Sequence, residues 1–414
     1  MSCPSPSAAR PGPGRPDPWR PERWQDFELT DVRAVLPHEV LPHASVEVRD
    51  GRISAIRRGT RIGRAEGTGV PTIDGGGLLL LPGLVDVHSD GLEAAVRPRP
   101  RALLPGDQAV ASVEARLLGA GVTTAFHPMA HRTTTALGRP LHEDPDLEVD
   151  ELLRSATAPR MDHRVLHRLD VLCGTGRARL LEVLAAARPE PSVPALVSLE
   201  DHTPGQGQYH DQQAMVRLIR SQENLTADAA QARVRQLHRR GQESAGVRAA
   251  AFEQLVALQA RGRVRLLLHD PDTARTVESF ARAGGAVAEF PTTLEAARSA
   301  RAQGLLVVAG APNLLRGGSH SGNVSAAELV DLELVDALAS DYVPGSLLGA
   351  ASIAARTRGW AEAARLVTSG PASVAGLEDR GALEPGRRAD LILVDDQAGP
   401  WPIVRWARSA STAP

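Results

Sequence analysis

Apolar positions change their spacing twice along this chain of 414 residues. From Phe27 to Arg58, FELTDVRAVLP and ASVEVRDGRISAIRRG alternate apolar and polar side chains, the period of half-buried strands. Asp50-Gly51 falls between two such runs and predicts a hairpin turn. From Leu79 the alternation gives way to short continuous apolar runs separated by amphipathic stretches. These runs predict strands at Leu84–His88, Gly121–His127, Val165–Val171, Leu196–His202, Val264–Asp270, Val287–Phe290, Leu305–Gly310 and Leu334–Asp341. Helical spacing lies between several of them, as at Asp107–Gly119 and Leu294–Gln303. Eight alternating strands and helices imply the α/β class, a (β/α)8 TIM-like barrel over residues 79–379. The intervals Met129–Arg160 and Gln206–Arg263 are long enough to hide a further element. Past the last helix, GRRADLILVD and PIVRWAR return to strand pattern. They are expected to rejoin the first strands in a small split β domain, residues 26–78 plus 380–414.

Composition narrows the class. An apolar content of 42% supports a full core, and a net charge of −2 argues against a nucleic-acid or anionic-membrane binder. No run approaches the roughly 18 apolar residues of a membrane span. Residues 1–25 are rich in Pro and Arg, lack the apolar core of a signal peptide, and are expected to form a disordered tail. Two cysteines, Cys3 and Cys173, are too few for a disulfide framework, which suits a cytoplasmic protein. All 47 basic residues are arginines, so Schiff-base, P-loop and general-base lysines are excluded.

Candidate chemistry collects at the strand ends. LPGLVDVHSDGLEAAVRPRP puts His88 and Asp90 two residues apart on extended backbone, where they point the same way. Together they offer half of a divalent metal site. Further strand ends supply Asp170, His202, His269 and Asp341. Each alone reads as a cap or a satisfied polar residue, but six convergent ligands at one barrel mouth point to metal. Arg97, Arg99 and Arg101 follow the first strand and suit an anionic substrate. LRGGSHSGN offers Arg316, Gly317 and Gly318 for close backbone approach, and Ser319, His320 and Asn323 as donors. That stretch is either a phosphate cradle or an ordinary glycine-rich loop. His320 is open between phosphate donor, general acid and additional ligand, with the first two favoured. Asp270 and Asp272 either orient His269, bind a sugar hydroxyl or cap their loop.

HxD, carboxylate, His, His and Asp in this order, on a barrel with a split β domain, resembles the amidohydrolase superfamily of metal-dependent hydrolases. HSDGLEAAVRPRP, LVSLEDHTPGQGQY, LLLHD, AEFPTTLEAARSARAQG, GAPNLLRGGSHSGN and ASDYVPGSLLGAA are similar, more narrowly, to its alpha-D-ribose 1-methylphosphonate 5-triphosphate diphosphatases of the carbon–phosphorus lyase pathway. The chain departs from that pattern in its N-terminal tail, in HSDGLE where HTDNLE is expected, and in Asp170 where a glutamate is expected. The resemblance implies a two-metal site (zinc, manganese or similar) and a small sugar triphosphate as substrate, attacked at the α-phosphorus with release of pyrophosphate. It implies neither nucleic acid nor membrane as partner and leaves a homo-oligomer open. With no lysine to carboxylate, a bridging side chain must be a genuine carboxylate, Asp170 first and Glu200 or Asp201 after it. Asp341 and His320 would carry the proton transfers. The alternatives are C–N bond hydrolysis, as of a cyclic amide or in deamination, and a barrel that binds without catalysis.

Overall fold

A computed structural model describes residues 26–59, 70–99, 102–135, 149–156, 159–187, 193–319 and 322–410. Residues 1–25, Arg101 and His320 therefore lie outside the described residues.

Two sheets organise the chain. The first uses both chain ends: β1 (Phe27–Val35), β2 (Val40–Arg49), β3 (Arg52–Arg58), β4 (Thr72–Asp74), β5 (Leu79–Pro82), β14 (Leu391–Asp395) and β15 (Ile403–Arg408). Its order is β15-β14-β5-β1-β2-β3, with β4 beside β1. Asp50 and Gly51 both take positive φ, 48° and 69°, as the two-residue turn between β2 and β3 requires. β5 pairs antiparallel with β14 and parallel with β1, so this sheet reaches Pro82, four residues past the expected boundary at 78. The run LLLP is buried throughout because its two faces meet different cores. Leu79 and Leu81 join the apolar layer around the barrel, while Leu80 packs with Leu29 and Leu391 inside the terminal sheet.

The second sheet is parallel: β6 (Leu84–Asp86), β7 (Val122–His131), β8 (Asp162–Asp170), β9 (Ala195–Glu200), β10 (Val264–His269), β11 (Val287–Glu289), β12 (Leu306–Gly310) and β13 (Ala337–Ala339), hydrogen-bonded in that order. Its ends meet through a single parallel bridge between Ser89 and Asp341, giving a nearly closed barrel. Val85, Phe126, Leu166, Leu196, Leu267 and Val308 fill the inside, each worth about 1.5–3 kcal/mol when fully buried.

The expected strands are present in the expected order, but several end early. β6, β9 and β13 stop before His88, His202 and Asp341, so these side chains stand on the first loop residues beyond the sheet. The long interval before β10 holds three helices, Gln212–Glu223, Ala227–Glu243 and Ala245–Ala260. Among the described residues no helix is long and apolar enough to cross a membrane.

Candidate active site

Glu289 ends β11 with its carboxylate fully buried beneath the barrel mouth. One oxygen lies 2.9 Å from His88 Nδ1 and the other 2.8 Å from His269 Nδ1. Ser198 Oγ donates to the second oxygen at 2.5 Å. An ionised carboxylate can only accept, so each imidazole presents its Nδ1–H to Glu289 and is left with Nε2 to serve as a ligand. Burial alone would depress both imidazolium groups. For His88 the charge of Glu289, the facing Asp90 carboxylate and the hydrogen bond to Glu289 prevail and raise it to about 10. For His269 the Asp270 charge and the Glu289 hydrogen bond raise it to about 9. Glu289 is held well below the carboxylate range, burial opposing and the charge of His88 leading the causes that lower it. A divalent ion at Nε2 would have to displace these protons.

His88, Asp90 and Asp341 each offer a ligand atom, all within 4.8 Å of one another. The seam that closes the barrel assembles them: Asp341 N–H donates to His88 O at 2.8 Å and Asp90 N–H to Asp341 O at 3.0 Å. His88 Nε2 and Asp90 Oδ1 face each other as an ion pair at 3.5 Å, and neither makes a well-formed hydrogen bond. An imidazole nitrogen and two carboxylates gathered this closely are what a divalent cation would satisfy, so these residues fit the metal that the fold implies. Burial raises Asp341 above the usual carboxylate range. Asp270, Phe290 and Asp341, all just beyond strand ends, take φ of 51°, 55° and 52°. For an aromatic residue that is uncommon and strained, and here it sits at the mouth.

The other expected ligands stand further off. The His202 ring centroid is 6.2 Å from that of His269, and burial depresses His202 to about 4. Asp170 lines the same small hollow as His202. Its carboxylate, however, already accepts from Leu172 N–H at 2.9 Å and Arg240 at 3.0 Å, one bond on each oxygen. Glu200 is buried and ion-paired with Arg168, and Asp201 pairs with Arg248 at 2.9 Å. Burial would raise Glu200, but the charge of Arg168 outweighs it and holds the carboxyl low.

A cavity of about 310 Å³ opens at the barrel mouth, lined among others by Asp90, Asp341, His269, Asp270, Asn313, Ser319 and Asn323. The glycine-rich loop thus reaches the same space as the strand ends. Its first part does not: Arg316 is exposed in the last turn of helix Ala311–Arg316, and Gly317 caps that helix with φ of 73°. Gly318 N–H closes the turn onto Asn313 O at 3.1 Å. Arg97 and Arg99 are also absent from the cavity lining, Arg97 capping the short helix Gly91–Val96 and Arg99 bridging to Ala102. Asp272 accepts from Gly207 N–H at 2.9 Å, which makes it a loop cap. Asp270 lies 3.5 Å from His269 Nε2, and burial pushes it up to about 6. Sequence reasoning gave no role to Glu289 or Arg168, although Glu289 carried the strand-end signal in VAEF.

Residues 211–400 match the family described as Amidohydrolase family. The alpha-D-ribose 1-methylphosphonate 5-triphosphate diphosphatase of Escherichia coli (strain K12) is 36% identical over 355 residues, covering 84% of this chain and 90% of the relative. Among solved structures, N-isopropylammelide isopropylaminohydrolase from Burkholderia multivorans superposes with a TM-score of 0.57 at 17% identity, over 93% of this chain and 97% of that one. Triazine hydrolase from Arthobacter aurescens gives a TM-score of 0.56 at 16% identity, over 89% and 86%. At these identities the two structures speak for the fold alone. The extent of the diphosphatase match and the amidohydrolase domain together make this chain a member of the amidohydrolase superfamily, in the family of the alpha-D-ribose 1-methylphosphonate 5-triphosphate diphosphatases.

Proposed function

We propose that this hydrolase cleaves alpha-D-ribose 1-methylphosphonate 5-triphosphate to the 5-phosphate and pyrophosphate, in phosphonate catabolism. The observation that carries the reading is the relative of that name, 36% identical over 84% of this chain. The cavity supports it, because Ser319 and Asn323 line the same space as His269, Asp90 and Asp341, as a substrate with phosphates beside a reacting centre needs.

His88, Asp90 and Asp341 would hold a divalent ion, with His269 and His202 as the nearest candidates for a second. Such ions lower the pKa of a water and polarise a phosphoryl oxygen. Glu289 keeps Nε2 of His88 and His269 available. Asp341, its proton affinity raised by burial, would accept the proton of the attacking water. Ser319 and Asn323 would donate to phosphate oxygens. His320, which lies between them in the sequence, is the candidate for protonating the leaving group.

Attack at the α-phosphorus puts solvent oxygen into the sugar phosphate. Turnover of the sugar triphosphate in oxygen-18 water, followed by phosphorus NMR, should show label in the 5-phosphate and none in pyrophosphate. Label in pyrophosphate, or orthophosphate as product, would overturn this assignment of the bond broken.

A further inference from the structure

We infer that Arg168 is the phosphate-binding cation of this cavity, aimed by Glu200 at the phosphoryl group nearest Asp90 and Asp341. The inference rests on the proposed polyphosphate substrate and names the residue that would meet it.

On β8, Leu166 faces the barrel interior while Leu169 packs outward among the helices, so Arg168 shares the inner face with Leu166. An arginine on the inner face of a barrel is costly to desolvate. A buried ion pair rarely stabilises a fold more than apolar residues of similar volume, so the Arg168–Glu200 pair is poorly explained as a staple. Its geometry suggests another task. Glu200 accepts from Nε, while Nη1 lies 3.5 Å from Asp90 Oδ1 and the guanidinium forms part of the cavity wall. Among the described residues lining that cavity, Arg168 alone carries a permanent positive charge, against the carboxylates of Asp90, Asp270 and Asp341. A polyanion entering there would be repelled unless cations faced it. A divalent ion at Asp90 and Asp341 supplies part of the compensation, and Arg168 supplies a fixed, directional remainder. Arg97, Arg99 and Arg316 line none of this space. Glu200, buried to 1% exposure, is the positioning residue: it fixes the plane of the fork and sits too deep to touch substrate itself.

The test uses inorganic pyrophosphate as probe, by calorimetry on metal-loaded protein at fixed metal occupancy. Arg168→Met strands Glu200 in the interior and can fail to fold, so Arg168→Met/Glu200→Met, which removes both charges, is the decisive variant. It should keep its metal yet bind pyrophosphate roughly ten- to a hundredfold more weakly, the loss of one charge-assisted contact. Arg168→Lys, with the charge but not the fork, should fall between. Glu200→Gln should raise KM for the triphosphate several-fold with kcat little changed. Pyrophosphate affinity within twofold of wild type in the double variant overturns the role of Arg168, as does a change confined to metal affinity. An unaltered KM in Glu200→Gln overturns the role of Glu200. The two readings fail separately: a wild-type protein that binds pyrophosphate through Arg168 but cleaves no sugar triphosphate refutes the diphosphatase reading alone.

Discussion

Glu289 is the residue on which both histidines of the mouth depend. It receives an Nδ1–H from each, and Ser198 holds it in turn. Replacing it with Gln keeps the volume but removes the charge and one of its two acceptors, so one imidazole loses its orientation. Metal affinity of Glu289→Gln, measured by competition with a chelator, should fall about 10–100-fold, the usual cost of losing such a supporting partner. Unchanged affinity would mean that the histidines are oriented by something else. His88, Asp90, His269 and Asp341 were legible in the sequence because a polar residue closing an apolar run is a local signal. Glu289 and Arg168 were not assigned, since their meaning lies in partners far along the chain: His88 is 201 positions from Glu289. Asp170 shows the converse. It closes its strand as expected, but its partner Arg240 comes from a helix in the interval 206–263 that the sequence left unresolved.

At the scale of elements, period told more than position. Most barrel runs are buried and apolar, β8 with DHRVLHRLD being the polar exception, yet the pattern could not say where hydrogen bonding stops. LVDVH reads as one strand although the ladder ends at Asp86. Joints between elements were invisible for the same reason that Glu289 was. Arg380, in the segment before β14, donates to Thr124 at 2.8 Å and Asp162 at 2.6 Å, tying the starts of β7 and β8 to the chain's return toward the terminal sheet. Arg380→Met should therefore cost about 1.5–3 kcal/mol at pH 7, the loss of one charge-assisted contact, because Arg164 still pairs with Asp162 at 3.0 Å. Burial would raise the Asp162 carboxyl, but Arg164 and Arg380 outweigh it and hold it below its ordinary value. A depressed carboxylate stabilises the fold above its unfolded pKa of about 3.9 and loses that contribution as pH falls through the folded value. The gap between wild type and Arg380→Met in urea unfolding should accordingly narrow below pH 4. A gap that stays constant into acid would show that the arginine acts through packing alone.

For the whole molecule, the place where the barrel closes and the place where metal would bind are one seam. The ends of β6 and β13 are joined by the bridge between Ser89 and Asp341 and by Ser340 N–H donating to Asp86, and the candidate ligands His88, Asp90 and Asp341 exchange backbone hydrogen bonds across that join. In the seam His88 Nε2 and Asp90 Oδ1 face each other at 3.5 Å, with Asp341 offering a third ligand atom beside them. A divalent ion there would satisfy these atoms and tie the first barrel strand to the last. Ion binding and barrel closure should then be thermodynamically linked. An ion at a hundredfold excess over its Kd stabilises the folded state by about 2.7 kcal/mol if it binds that state alone. Adding zinc or manganese to chelator-treated protein should raise Tm and slow amide exchange at Asp90 and Asp341 first. His88→Ala and Asp341→Asn should abolish both effects while the terminal sheet keeps its own protection. Metal that raises Tm equally in these variants would be binding elsewhere, and slowed exchange absent from Asp90 and Asp341 would separate the metal site from the seam.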